Sequence, residues 1–212
     1  MSLHNIIFDF GGVICEQDRR EYFYDLGMDK TDVGFYFDKV QREYHEYETL
    51  GELTRDEVLK MACEKYPDKT DLITFMYDNK HVAGYMPLKF DVLDYIAELK
   101  RRGLKVYGLT NLSANTHQSF REQYFQKYGK DFDKLFDGVT YSYQAKCRKP
   151  DLVIYKKLLK DFGIDPKTAL FIDDSLVNVQ IGEKLGIKGL YWAKGDTLAD
   201  IKRKIAKQVA AK

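Results

Sequence analysis

The sequence predicts an α/β protein: a Rossmann-like parallel sheet with helices on both faces, plus an inserted helical cap subdomain. Three observations predict it. A short apolar run, Asn5-Ile6-Ile7-Phe8, ends in a carboxylate and a glycine turn, Asp9-Phe10-Gly11-Gly12. From Pro87 onward, short apolar runs alternate with amphipathic segments, as strand–helix crossovers do. Between these regions, residues 15–86 are rich in Tyr, Asp, Glu and Lys and hold no convincing strand. The expected division is therefore a core of residues 1–14 and 87–212, with a helical cap over 15–86.

The elements follow in order. Thr54-Arg55-Asp56-Glu57 is a capping box that opens a helix carrying Val58, Leu59 and Met61, and Gly51 before it marks a turn. Val92, Tyr95, Ile96 and Leu99 recur at helical spacing, and Gly103 stops that helix. Strands are expected over 105–110, 136–142, 169–173 and 188–193. Helices are expected over about 114–127, around Tyr155–Phe162 with Pro150 near its first turn, and over 176–185. Leu198, Ile201, Ile205 and Val209 line a closing helix, whose lysines are its solvated face. The tyrosines of the cap (Tyr22, Tyr24, Tyr36, Tyr44, Tyr47) mainly build its own small core.

Composition narrows the function. The 212 residues carry a net charge of +1, so nothing predicts electrostatic capture by nucleic acid or an anionic membrane. No apolar run approaches the ~20 residues of a membrane span, and no signal peptide is visible. Three cysteines at unrelated spacings argue against a disulfide framework or a thiolate metal site. The four histidines have no ligand spacing. These readings point to a cytoplasmic protein, monomeric or a weak homodimer, acting on a small molecule.

Four strand ends carry polar groups that would meet at one edge of the sheet: Asp9, Thr110-Asn111, a lysine at Lys146 or Lys149, and Asp173-Asp174. Any one has a simpler reading as a helix cap or surface residue. Together they place three acids where like charges repel unless a cation lies among them. Phosphoryl transfer through a carboxylate needs such a set. Mg2+ suits the acids, lysine adds a fixed positive charge, and Thr110 with the backbone N–H groups after it can hold equatorial oxygens.

These motifs resemble the haloacid dehalogenase superfamily over nearly the whole chain. The matching pieces are Phe8-Asp9-Phe10-Gly11-Gly12-Val13, Gly108-Leu109-Thr110-Asn111, Arg148-Lys149-Pro150-Asp151, and Phe171-Ile172-Asp173-Asp174-Ser175 with Asn178. The resemblance implies that Asp9 is the nucleophile, Thr110 binds the transferred group and Lys149 neutralises charge. It implies Mg2+ held by Asp9, the Gly11 carbonyl, Asp173 and Asp174, with Gly11, Gly12 and Asn111 close to substrate. The implied activity is hydrolysis of a small phosphorylated metabolite, such as a sugar phosphate, through an aspartyl phosphate.

One position departs from the pattern. Phosphatases of the superfamily usually carry a second aspartate two residues after the nucleophile, and Gly11 stands there. General acid–base help is typically worth ~10²–10⁴-fold, so an easily departing leaving group is favoured. Glu16, Asp18 or a cap residue are candidates to substitute. Dehalogenases also lack that aspartate, but their fourth motif lacks the adjacent acidic pair. A non-catalytic member using its cap as a binding surface is the other rival.

Overall fold

The structure is a computed structural model that describes residues 3–17 and 19–210. Five parallel strands form one sheet in the order β3-β2-β1-β4-β5. They are β1 (Asn5–Phe8), β2 (Lys105–Thr110), β3 (Gly138–Tyr141), β4 (Ala169–Asp173) and β5 (Lys188–Tyr191). Strands β2 and β3 extend the sheet to one side of β1, and β4 and β5 extend it to the other. The order therefore reverses between β1 and β4, where open α/β sheets leave a crevice at the carboxyl ends.

Alternation along the strands divides the core. Ile6, Phe8, Val106, Leu170 and Ile172 face helices α7 (Phe90–Arg101), α8 (Ala114–Tyr128) and α12 (Leu198–Ala210). Ile7, Tyr107, Leu109 and Phe171 face α10 (Leu152–Asp161). The sheet is thus covered on both faces, which is why its strands read as continuous apolar runs.

Between β1 and α7 the chain is helical throughout: α1 (Glu21–Asp25), α2 (Lys30–Phe35), α3 (Arg42–Leu50), α4 (Arg55–Lys65), α5 (Thr70–Met76) and α6 (Val82–Tyr85). The expected capping box is present: Thr54 Oγ1 accepts from Glu57 N, and Glu57 accepts from Thr54 N at 2.7 Å. A π-helical turn, Tyr36–Gln41, joins α2 to α3. This segment has its own core, in which Phe23, Val40, Val58 and Ile73 are fully buried and Tyr36 and Tyr44 nearly so. Of the cap tyrosines, Tyr47 alone is exposed.

The two connections to the sheet run side by side. Cys15 and Leu88 form an antiparallel bridge. Glu16 N donates to Pro87 O at 3.0 Å and Lys89 N donates to Ile14 O at 2.8 Å. A second set of contacts ties the end of α3 to the short helix α9 (Ser142–Ala145) and the loop after it. Ser142 Oγ donates to Thr49 O at 2.5 Å, Lys146 Nζ donates to Gly51 O, and Arg148 pairs with Glu46. Helix-terminal carbonyls lack partners within their own helix and attract cations, so the sheet side supplies what the end of α3 needs.

Element ends differ from expectation at a few places. The strand expected over 136–142 is shorter because Phe136 and Asp137 precede the ladder and Ser142 starts α9. Pro150 lies just before α10, whose N-cap is Asp151, near the first turn as expected. No helix among the described residues is long and apolar enough to cross a membrane.

Candidate active site

Asp9 lies immediately beyond β1 and is held there from both sides. Its backbone N–H donates to Ile172 O at 2.9 Å. The next side chain, Phe10, is fully buried among Phe120, Phe132, Phe136 and Tyr141, with ring centroids 5.4–6.5 Å away. Gly108 on β2 makes room for that ring, since a Cβ there would lie 2.8 Å from it. Burying such a ring stabilises by roughly 1.5–3 kcal/mol, so the loop is anchored on a large apolar contact. Phe10 O then accepts from Val13, Ile14 and Cys15 N–H groups, which closes the turn tightly.

Lys149 lies between two carboxylates. Its ammonium is 2.6 Å from Asp9 Oδ1 and 2.7 Å from Asp173 Oδ2, and the three side chains are 8% exposed or less. Burial pushes the Asp9 carboxyl up to about 7, with Asp173 adding to the rise and Lys149 opposing it. For Lys149 burial acts downward, but the two carboxylates outweigh it and the ammonium is held above its ordinary value. Asp174 is also raised, by burial and then by Asp173.

The remaining valences of Asp173 are filled. Oδ1 accepts from Ser175 N at 2.7 Å, and Asn178 Nδ2 reaches both oxygens at 3.0 and 3.1 Å. Asp174 instead opens onto a cleft of about 450 Å3 between the sheet edge and the helical segment. Asp9, Gly11, Asn111, Lys149 and Asn178 line its floor, while Arg20, Phe37, Gln41, Arg42 and His45 line the opposite wall. Carboxylate oxygens of Asp9, Asp173 and Asp174 lie within 4.8 Å of one another. This hard, all-oxygen donor set fits a cation such as Mg2+ or Ca2+ and does not fit a thiolate- or imidazole-seeking metal.

The lysine left open by sequence is resolved, because Lys146 reaches the carbonyl of Gly51 and Lys149 enters the site. Thr110 is 1% exposed at the end of β2, behind the cleft wall. Gly12 and Asn111, both expected close to substrate, make contacts of their own. Gly12 does not line the cleft: its carbonyl accepts from Lys89 Nζ at 2.7 Å, and the Asp174 carboxylate packs where its Cβ would be. With φ of +69° it needs glycine for its backbone as well. Asn111 borders the cleft, but its amide is spent on Lys149, accepting from Lys149 N at 2.8 Å and donating to Lys149 O at 2.9 Å. It aims the lysine.

Of the candidate substitutes for the missing acid, Glu16 pairs with Arg19 at 3.2 Å and lies outside the cleft wall. Asp18 lies outside the described residues. The residue between them, Gln17, lies in the cleft and was not singled out by sequence. Cys147 is not activated, since burial pushes its thiol up.

A parallel sheet with a topological switch, an all-helical insertion and a carboxylate–lysine–carboxylate cluster at the strand ends define the class: an α/β enzyme fold with a capped, acidic cleft. The comparisons with known proteins agree. The model of the haloacid dehalogenase-like hydrolases matches residues 3–186, and this chain belongs to that family. A D-ribitol-5-phosphate phosphatase of Bacteroides thetaiotaomicron is 31% identical over 88% of this chain and 90% of its own length. A sesquiterpene phosphatase of Aspergillus oryzae is 35% identical over 87% of each. A haloacid dehalogenase family enzyme of Bacteroides thetaiotaomicron, solved with magnesium and inorganic phosphate, superposes with a TM-score of 0.74 at 25% identity. It covers 94% of this chain and 98% of its own.

Proposed function

We propose that this chain is a Mg2+-dependent phosphatase that hydrolyses a small, polar phosphomonoester of the sugar-phosphate kind, one whose leaving group departs readily, through an aspartyl phosphate on Asp9. The observation that carries the reading is Lys149, buried between Asp9 and Asp173 beside a third carboxylate. Such a cluster is costly to build and is not required by the fold.

The chemistry follows from the residues. An Asp9 oxygen attacks phosphorus as the ester P–O bond breaks, and the departing alkoxide takes a proton from solvent water. Water then attacks the phosphorus of the acyl phosphate, and the bonding pair returns to Asp9. Phosphate leaves carrying the protons of the attacking water. Lys149 holds the Asp9 carboxylate in place and offsets its charge as a dianionic phosphate approaches. Mg2+ would be held by Asp9, Asp174 and the Gly11 carbonyl with Asp173 beside it, and it supplies charge neutralisation.

The polar wall formed by Arg20, Gln41, Arg42 and His45 supports a hydroxylated substrate over a prenyl chain, although two phosphatase relatives differ on this point. The adjacent acids Asp173 and Asp174 favour phosphate over a halide-releasing reaction.

A panel of phosphate esters with added Mg2+ tests the reading. Sugar 1-phosphates and aryl phosphates are expected to be hydrolysed, EDTA to stop turnover, and Asp9→Asn to abolish it in a folded protein. Metal-independent chloride release from a 2-chloro acid, or full activity in Asp9→Asn, would overturn it.

A further inference from the structure

Gly11 poses a question that its own backbone does not answer. Its φ lies outside the left-handed region, unlike that of Gly12, so any residue could adopt its conformation. The group that lies where a Gly11 side chain would start is the end of the Gln17 side chain. A Cβ built on Gly11 would lie 1.6 Å from Gln17 Nε2 and 2.8 Å from Gln17 Cδ. The volume that a second aspartate would fill is occupied by a carboxamide arriving from six residues downstream. The tight turn on Phe10 O and the pairing of Glu16 N with Pro87 O bring it back over Gly11. Among the described residues, nothing is recorded as a hydrogen-bond partner of that amide, and it lines the cleft together with Asp9.

We propose that Gln17 is the positioning residue for the water that attacks the aspartyl phosphate, its carboxamide standing in the space vacated at Gly11. The proposal rests on the phosphatase reading given above. An amide neither gives nor takes a proton at neutral pH, so it does not replace a general acid. It does offer one acceptor oxygen and two donors, enough to hold a water in line with the P–O bond to be broken. Glutamine orients the attacking water in this way in GTP-hydrolysing enzymes. The water's oxygen bonds to phosphorus, the P–O bond to Asp9 breaks with its electron pair returning to the carboxylate, and the surplus proton leaves on the released phosphate. With glycine at position 11, the Gln17 amide can take up this place without meeting a side chain.

Two steps therefore respond differently. Ester cleavage by Asp9 does not use Gln17, whereas decay of the phosphoenzyme does. The test is rapid-quench kinetics on the full chain with Mg2+ and [32P]-labelled glucose 1-phosphate, followed by a chase with unlabelled ester. In Gln17→Ala, formation of labelled protein is expected at the parent rate within about twofold. Its decay is expected to slow by about tenfold or more, with kcat and KM falling together as the intermediate accumulates. Gln17→Glu, which keeps an acceptor in place, is expected to restore most of the decay rate. The thermal midpoint of Gln17→Ala should be unchanged, because the side chain is exposed.

Decay within twofold of the parent in Gln17→Ala, or an equal loss in both steps, would overturn the proposal while leaving the phosphatase reading intact. No labelled protein from the parent, with Asp9→Asn as active as the parent, would overturn both.

Discussion

Replacing Lys149 by Met removes the cation that, among the described residues, touches both Asp9 and Asp173, and leaves two buried carboxylates facing each other. Breaking a buried ion pair from one side costs about 3–5 kcal/mol, because the remaining charge is stranded. Domains of this kind are stable by roughly 5–15 kcal/mol, so the loss is a large fraction of the total. The folding equilibrium should fall by about 10²–10⁴-fold, and the urea midpoint by about 2 M at an ordinary denaturant dependence. The assay is urea unfolding in EDTA at pH 8 and again at pH 5. Asp9 is already pushed up to about 7 with the lysine present, and without it Asp9 rises further. The folded variant then takes up protons that the unfolded chain, with ordinary carboxylates, does not. Its stability therefore improves as pH falls, and the penalty should be clearly smaller at pH 5 than at pH 8. Lys149, held above its ordinary value in the parent, stays charged across this window. A loss below about 1 kcal/mol at pH 8, or the same loss at both pH values, would refute the reasoning.

Three further outcomes follow from the same geometry. In metal-free buffer Asp9→Asn should be more stable than the parent at pH 8, by about 1–4 kcal/mol. The cost of the raised Asp9 builds up as pH rises from the ordinary carboxylate range near ~4 to about 7 and is complete above it, so the gap between the two melting curves should narrow as pH falls from 8 to 5. Gly12→Ala meets both a φ of +69° and the Asp174 carboxylate. It should cost about 1–2 kcal/mol from the backbone alone and weaken the stabilisation that added Mg2+ confers in a thermal-shift titration. Ser142→Ala removes a donor to Thr49 O and an acceptor from Leu112 N, and should cost about 1–3 kcal/mol by urea unfolding.

Much of the site was legible because periodicity fixes where strands end. Apolar runs place Asp9, Thr110 and Asp173 at neighbouring carboxyl ends, and a parallel sheet brings those ends together whatever the loops do. What was not legible depends on loop paths. Lys146 and Lys149 are three residues apart, and only the left-handed turn at Lys146 sends one toward Gly51 and the other into the site. Asn111 reads as a substrate contact until the loop carrying Lys149 is seen lying against it. Gln17 carried no signal at all, since its role arises from the turn on Phe10 O rather than from a spacing. The π-helical turn was equally hidden, because its residues show the same amphipathic pattern as a regular helix.

The paired connections between sheet and helical segment bear on how such proteins diversify. Because Cys15 and Leu88 are bridged, the chain leaves and re-enters the sheet region at nearly one point, about 5 Å apart as opposed strand residues are. An insertion with adjacent ends can be lengthened, shortened or exchanged without moving β1 or α7. Asp9, Lys149, Asp173 and Asp174 all lie outside it, whereas Arg42 and His45 lie within it. The carboxylate–lysine cluster and the opposite wall of the cleft are thus encoded in separable stretches of sequence, and grafting the 16–87 segment of a relative between Cys15 and Leu88 exchanges that wall while leaving the cluster in place.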